Sequence, residues 1–268
     1  MNLITREFSK WWQTFVVCWS KHTSYRLNFF LQIIGPSLVF FFVKYHLWSS
    51  IYQGRDDIVL KGYNLDSMIT YHLFAMLVSL LGQGFATQNL SEEIRLGKIT
   101  SYLIYPFEFW AFHTASFISF QVLQSIIFFI TISCLTLFNI VQIDMNSILT
   151  GFIYCQFIGF FWYCLQYMTG IIAFWLEETW ILQVILRVLT SFLSGAIIPL
   201  ELYPKFVVEI LEYTPFPYLT YYAIKIFTGK IQLNPSMIFI LLFWIFIFCL
   251  INHFIWKRGI KNYTAAGM

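Results

Sequence analysis

The sequence predicts an all-α polytopic membrane protein: six transmembrane helices, an N-terminal amphipathic helix, a short cytoplasmic helix, and re-entrant outward helices before the last span. Three observations predict it. Of 268 residues, 59% are hydrophobic and only 11% charged, against about 45–50% and about 25% in soluble domains, and the mean hydropathy is +0.71. Six stretches supply the roughly 20 mostly apolar residues that a bilayer core demands: residues 28–51, 67–88, 109–138, 148–174, 179–199 and 236–256. The connections between them are too short for a separate folded unit, which rarely falls below about 50 residues. Residues 1–268 therefore read as one transmembrane domain.

The arm, residues 1–27, shows charges scattered through it and no apolar core of a cleavable signal, so internal spans are expected to direct insertion. At about 100° per residue Phe8, Trp12, Phe15 and Trp19 share one face, and Arg6, Lys10, Gln13 and Lys21 the other, with Val17 the exception. Aromatic residues opposite basic ones form the pattern of a helix lying at the membrane surface; a disordered leader is the alternative.

Orientation follows from Lys and Arg. Arg6, Lys10, Lys21, Arg26, Arg95, Lys98, Lys257, Arg258 and Lys261 lie on the side of the termini; Arg55, Lys61, Lys205, Lys225 and Lys230 lie opposite. The excess predicts cytoplasmic termini in a multi-pass protein of the inner or plasma membrane. The net charge of +3 gives no reason to expect nucleic acid as a partner.

The second span carries His72, Ala75, Ser79, Gly82, Gln83 and Ala86 within one wedge of a helical wheel. In the fifth, Gln183, Arg187, Thr190, Ser191 and Ser194 share a face. Polar groups are costly against lipid, so both faces should meet protein or a water-filled path. Two readings stand: a translocation path or subunit seam, or plain helix packing through small residues. The third span, with Ala111, Ala115 and Ser119 spaced four apart, shows the packing version.

After the second span, residues 89–105 begin with Ser91, Glu92 and Glu93 as a helix start, and Gly97 ends that helix. Glu177 and Glu178 precede the fifth span, where acidic side chains suit a helix N-terminus. The outward segment before the last span contains Pro199, Pro204, Pro215 and Pro217 yet stays apolar. It reads as two short helices, 204–212 and 218–228, dipping back into the membrane.

Catalytic signatures are missing. The string Gly97-Lys98-Ile99-Thr100 lacks the upstream glycine and the hydroxyl after the lysine that a phosphate-binding loop needs, and neither H-E-x-x-H nor G-x-S-x-G occurs. His22, His46, His72, His113 and His253 show no ligand spacing, so no metal site is expected. Cys18, Cys134, Cys155, Cys164 and Cys249 are odd in number and form no C-x-x-C; they read as packing residues. Without a cluster of acid, base or metal ligands, transport is favoured over a membrane enzyme. An ion-coupled transporter or channel would carry acidic residues within spans and internal repeats, and neither is apparent.

Five features in order resemble the permease subunit of type-2 ABC exporters, in the six-span branch: the amphipathic arm, SEEIRLGKITSYLIYP, AFWLEETW, SGAIIPLELYPKFVVEILEYTPFPY and WKRGIKNYTAAG. One departure is Tyr105-Pro106, where an Arg-Pro pair is common. The resemblance implies a single permease domain that pairs with a second permease chain, identical or related, in the lipid bilayer. It implies two separate ABC ATPase subunits that bind ATP and Mg, with no catalytic residue and no cofactor in this chain. Asn89, Leu90, Ser91, Glu92, Glu93, Ile94 and Arg95 would couple to the ATPase. His72, Ser79, Gln83, Gln183, Arg187, Ser191 and Ser194 would lie on the translocation path or subunit seam. Residues 199–230 would form the outward gate, with Pro199, Tyr203, Pro204, Pro215 and Pro217.

Overall fold

Apolar runs become helices here because a bilayer offers backbone amides no partner but each other. The computed structural model describes residues 3–24, 26–53, 55, 58–82, 90–104, 107–141, 144–176 and 178–263. In chain order the helices are α1 (Leu3–Ser24), α2 (Arg26–Ile51), α3 (Leu65–Gly82), α4 (Leu90–Arg95), α5 (Ile99–Ile104), α6 (Phe109–Leu137), α7 (Met145–Ile171), α8 (Trp180–Leu193), α9 (Lys205–Glu212), α10 (Phe216–Leu219), α11 (Tyr221–Phe227) and α12 (Pro235–Asn262). Among the described residues there is no strand, so the chain is an all-α polytopic membrane protein.

Four described segments are long and apolar enough to cross a bilayer: Leu65–Gly82, Phe109–Leu137, Met145–Phe174 and Pro235–Lys261. Leu38–Ile51 and Trp180–Leu193 are apolar but shorter. The stretch 179–199 read as a full span because its apolar run is unbroken, but the helix stops at Leu193. Ser194 caps it and Gly195 turns with φ +79°, a left-handed conformation that glycine adopts without steric cost. At about 1.5 Å per residue, α8 falls short of the roughly 30 Å core.

α7 is the hub, packing against α3, α4, α11 and α12. Three glycines along it each leave room for a side chain from a different element. Phe227 of α11 lies against Gly151, Gln121 of α6 against Gly159, and Leu90 of α4 against Gly170. Polar contacts join the same helices: Gln121 Nε2 donates to the Leu81 carbonyl at 2.9 Å, and Asn252 Nδ2 donates to the Cys164 carbonyl at 2.9 Å. Thr114 and Tyr163 hydroxyls meet at 2.8 Å. The small-residue row Ala111, Ala115 and Ser119 is buried, as packing requires.

α1 has a protein neighbour along its length. Trp11 meets Phe107 edge-on at 5.4 Å, His22 meets Phe120 at 5.2 Å, and Cys18 is buried. α1 and α6 therefore run side by side over several turns. The apolar face expected of the arm is thus divided: Phe8 and Trp12 stay exposed, while the adjoining Trp11, Cys18 and His22 turn to α6.

Candidate functional site

The α4 segment and the proline-rich segment that follows α8 lie at two ends of the bundle. Gly151 and Gly170 mark those ends, about 28 Å apart along α7 at its helical rise.

At the Gly170 end, Leu90 and Ile94 are one turn apart on α4 and both buried, 1% and 3% exposed. Gly170 has no side chain, so Leu90 closes onto the α7 backbone. Next to it the turn Ile172–Phe174 is held from the other side by α12: the Phe174 ring occupies the space where Gly259 lacks a side chain and packs on Trp256 at 5.5 Å and Tyr263 at 6.1 Å. Three motifs distant in sequence, around Leu90, Phe174 and Gly259, thus form one junction.

The same geometry sets which sides of α4 are covered. Leu90, Ile94 and Glu93 face their own chain, because the two apolar side chains find Gly170 and its neighbours to pack against. Glu93 accepts from the Tyr102 hydroxyl at 3.4 Å, and its Oε2 lies 3.3 Å from His113 Nε2, within ion-pair range but not aligned as a hydrogen bond. Burial would raise the Glu93 carboxyl, but His113, Lys21 and Tyr102 hold it below its ordinary range. Glu92, Arg95, Leu96 and Lys98 point outward, with Ser91 half-buried. Arg95 Nη1 reaches Glu178 Oε1 at 3.5 Å, both side chains about half exposed, a pair worth at most about 1 kcal/mol. Asn89, Tyr105, Pro106 and Glu177 lie outside the described residues.

At the opposite end α8 unwinds, and its three bared carbonyls each find a donor on a different element. The Tyr221 amide donates to Ser194 O at 3.0 Å, the Tyr71 hydroxyl to Gly195 O at 2.6 Å, and Lys44 Nζ to Ala196 O at 2.5 Å. Irregular backbone at membrane depth survives only with such internal partners. The prolines then steer the chain. Pro199 is buried ahead of the turn Leu200–Leu202, Pro204 caps α9, and the buried Pro215 and Pro217 start α10. The Tyr203 hydroxyl donates back to the Phe192 carbonyl at 2.9 Å.

The expected pair of helices is present but unequal. α9 is peripheral, with Phe206 and Ile210 exposed, whereas α10 and α11 are largely buried and α11 enters the bundle between α3 and α7. Phe227 stacks on Phe74 at 5.8 Å and meets Phe128 at 5.7 Å.

Sequence reasoning missed the polar cluster beside this gate. Glu201 Oε1 accepts from the Tyr221 hydroxyl at 2.8 Å and the Tyr63 hydroxyl at 3.1 Å, and pairs with the Lys225 ammonium. Lys225 also sits over the Tyr63 and Tyr221 rings, at 5.4 and 5.2 Å, a cation–π arrangement. The available signal was charged residues, Glu201 and Lys225 among them, inside a mostly apolar segment, where such charges need partners.

The polar faces of the second and fifth spans do not share one environment. The α3 wedge is filled by protein: His72 stacks on Trp48 at 5.9 Å, and Gly82 leaves space taken by Ile158. Ser79 is half-buried, and Gln83 and Ala86 lie outside the described residues. On α8, Thr190 and Ser194 are buried, Gln183 and Ser191 are half-buried, and Arg187 is exposed beside Val184 and Val188. The Ser191 hydroxyl donates to the Arg187 carbonyl at 2.8 Å.

Compared with known families, the sequence matches the ABC-2 family transporter protein description over residues 37–267, which takes in both ends of the bundle. The chain belongs to the ABC-2 transporter family. A search of curated proteins finds no match. This ABC-2 protein is a multi-pass membrane permease, the transport component of an ABC transporter and not itself catalytic. Its junction of α4, α7 and α12 and its α8–α11 gate region both lie within the matched residues.

Proposed function

We propose that this ABC-2 permease is the transmembrane subunit of an ATP-driven exporter, working as a pair of permease chains with two separate ATPase subunits that bind ATP and Mg. The observation that carries the reading is the α4 junction. A charged helix is clamped to a long span through Leu90 and Gly170, and its outward side is left to Glu92, Arg95 and Leu96. Movement applied to that surface reaches α7 directly, and α12 through Phe174. Support for pairing comes from α8, which lies at the rim with Trp180, Ile181, Val184, Val188 and Arg187 exposed. In a paired assembly α8 would supply the seam, and 199–230 the outward gate.

Reversing the outward charges, Glu92→Lys with Arg95→Glu, tests the coupling. Losing a charged pair at an interface can cost about 2–5 kcal/mol, so the variant should lose most ATPase copurified in mild detergent, or most ATP hydrolysis stimulated by cargo. Its own thermal stability should change by less than about 1 kcal/mol, because both side chains are exposed. Full retention of the ATPase with unchanged stimulated hydrolysis would overturn the role of α4.

Cytoplasmic termini place Lys98 inside and Lys230 outside, and both are exposed. With the native cysteines replaced, a membrane-impermeant thiol reagent added to intact cells should label Lys230→Cys and leave Lys98→Cys unlabelled until the cells are opened. The opposite pattern would invert the topology.

A further inference from the structure

A cavity of about 250 Å³ opens beside the gate, between the start of α3, the end of α11 and the α6–α7 connection, and includes Tyr63, Thr70, Lys225, Thr228 and Lys230 in its lining. Its inner wall is aromatic, with Phe74 and Phe227. Two local structures build its basic rim. After α11, Gly229 takes φ +67°, the Lys230 amide donates to the Lys225 carbonyl at 3.0 Å, and the Gly229 amide donates to the Ile226 carbonyl at 3.0 Å. This is a Schellman turn, and it folds Lys230 back beside Lys225. Opposite, Lys61 and Gly62 both have positive φ, and Leu60 and Tyr63 exchange backbone hydrogen bonds at 2.9 and 3.0 Å. That two-residue turn of type I′ sets the Tyr63 ring against both lysines, with Lys230 Nζ 4.9 Å from its centroid.

The charges do not balance. Glu201 neutralises Lys225, while Lys230 has no carboxylate within ion-pair range among the described residues. Burial and the neighbouring Lys225 lower the Lys230 ammonium below its ordinary value, and the more distant pull of Glu201 only partly opposes them, as expected where two cations share one carboxylate. The Thr70 hydroxyl is a nearby donor on the same lining, whereas the Thr228 hydroxyl donates to the Ile224 carbonyl at 2.9 Å.

We propose that this cavity binds the anionic group, a phosphate or carboxylate, of an amphiphilic molecule, with Lys230 as its principal cation and the Phe74–Phe227 wall receiving the adjoining hydrocarbon. The size supports a headgroup over a bare ion: one water needs only about 10–15 Å³ of such space, and whole-ligand pockets run to about 300–1,000 Å³. The site does not depend on ATPase coupling.

Binding of dihexanoyl phosphatidic acid, dihexanoyl phosphatidylcholine and inorganic phosphate to the full chain in uncharged detergent tests this. The phosphatidic acid should bind at least tenfold more tightly than either of the others. Lys230→Gln, at an exposed position, should weaken it at least tenfold, and Lys230→Arg should stay within about threefold of the wild type. Gly229→Val, which keeps the charge but disfavours the turn, should weaken it as well. Equal binding by Lys230→Gln and wild type, or inorganic phosphate binding as tightly as the phosphatidic acid, would overturn the proposal. Repeating the titration in phosphatidylcholine nanodiscs with and without phosphatidylglycerol identifies the source. Competition by phosphatidylglycerol assigns the site to bilayer lipid; undiminished binding assigns it to an incoming cargo, and both uphold the site.

Discussion

Gly151→Val should expel Phe227 from the bundle and give the largest loss of stability of any single substitution considered. A Cβ at position 151 would lie 2.5 to 2.9 Å from three atoms of the Phe227 ring, distances no packed structure tolerates. The ring cannot retreat, because it is fully buried against Phe74 and Phe128. Overpacking a filled core costs about 1–3 kcal/mol, and losing a buried phenylalanine costs about 3–5 kcal/mol. A combined effect of about 3 kcal/mol or more should appear as a sharply lowered unfolding temperature in detergent. The compensating pair Gly151→Ala with Phe227→Leu should recover much of it, since one side chain yields the space the other takes. A wild-type unfolding temperature for Gly151→Val would show that α11 does not dock as described.

The second large effect is expected at Glu201. Glu201→Leu leaves the Lys225 ammonium, only 12% exposed, facing two tyrosine rings without its counter-charge. Breaking a buried pair by deleting one partner costs about 3–5 kcal/mol. Glu201 itself keeps 27% exposure, so about 2–3 kcal/mol is expected after allowance for solvent screening. The pH dependence has a definite sign. Burial pushes the Glu201 carboxyl up, but Lys225 and Tyr221 outweigh it and hold it below its ordinary value. A depressed folded-state value means that the stabilisation is complete above the unfolded value near about 4.3. It is lost as pH falls further, through the lower folded value. Wild-type stability should therefore decline in that acid window, and Glu201→Gln should remove part of the decline. An identical acid profile in the variant would show that the pair contributes nothing to stability.

Much of this architecture could be read from the chain, because lipid forces long apolar runs into helices and Pro204, Pro215 and Pro235 mark where later helices begin. The same run misled at α8: nothing apolar or polar in 179–199 announces the break, which rests on one glycine conformation and three donors from elsewhere. The direction of α4 was equally hidden. Leu90 and Ile94 share a face by spacing alone, but whether that face meets a partner or its own chain depends on Gly170, eighty residues away. Short glycines within a span look like mere helix defects until the incoming side chains are seen. The Glu201–Lys225 cluster stayed out of view for a related reason, since its members come from separate turns and Tyr63, which joins Tyr221 around them, comes from a distant loop.

The unwound end of α8 also bears on how the chain is made. Its carbonyls at Gly195 and Ala196 are received by Tyr71 and Lys44, which leave the ribosome well before them and are already in place when the break emerges. The carbonyl of Ser194 waits for the amide of Tyr221, which is synthesised only about a helix-length later. Assembly of this end is therefore ordered by synthesis: the first two spans form a receptor for the break, and the late-arriving α11 locks it. A chain released before residue 221 would hold the break by two of its three fastenings, with the Gly151 notch still empty. Quality-control proteases that sample nascent membrane proteins should find this intermediate more open than the finished chain.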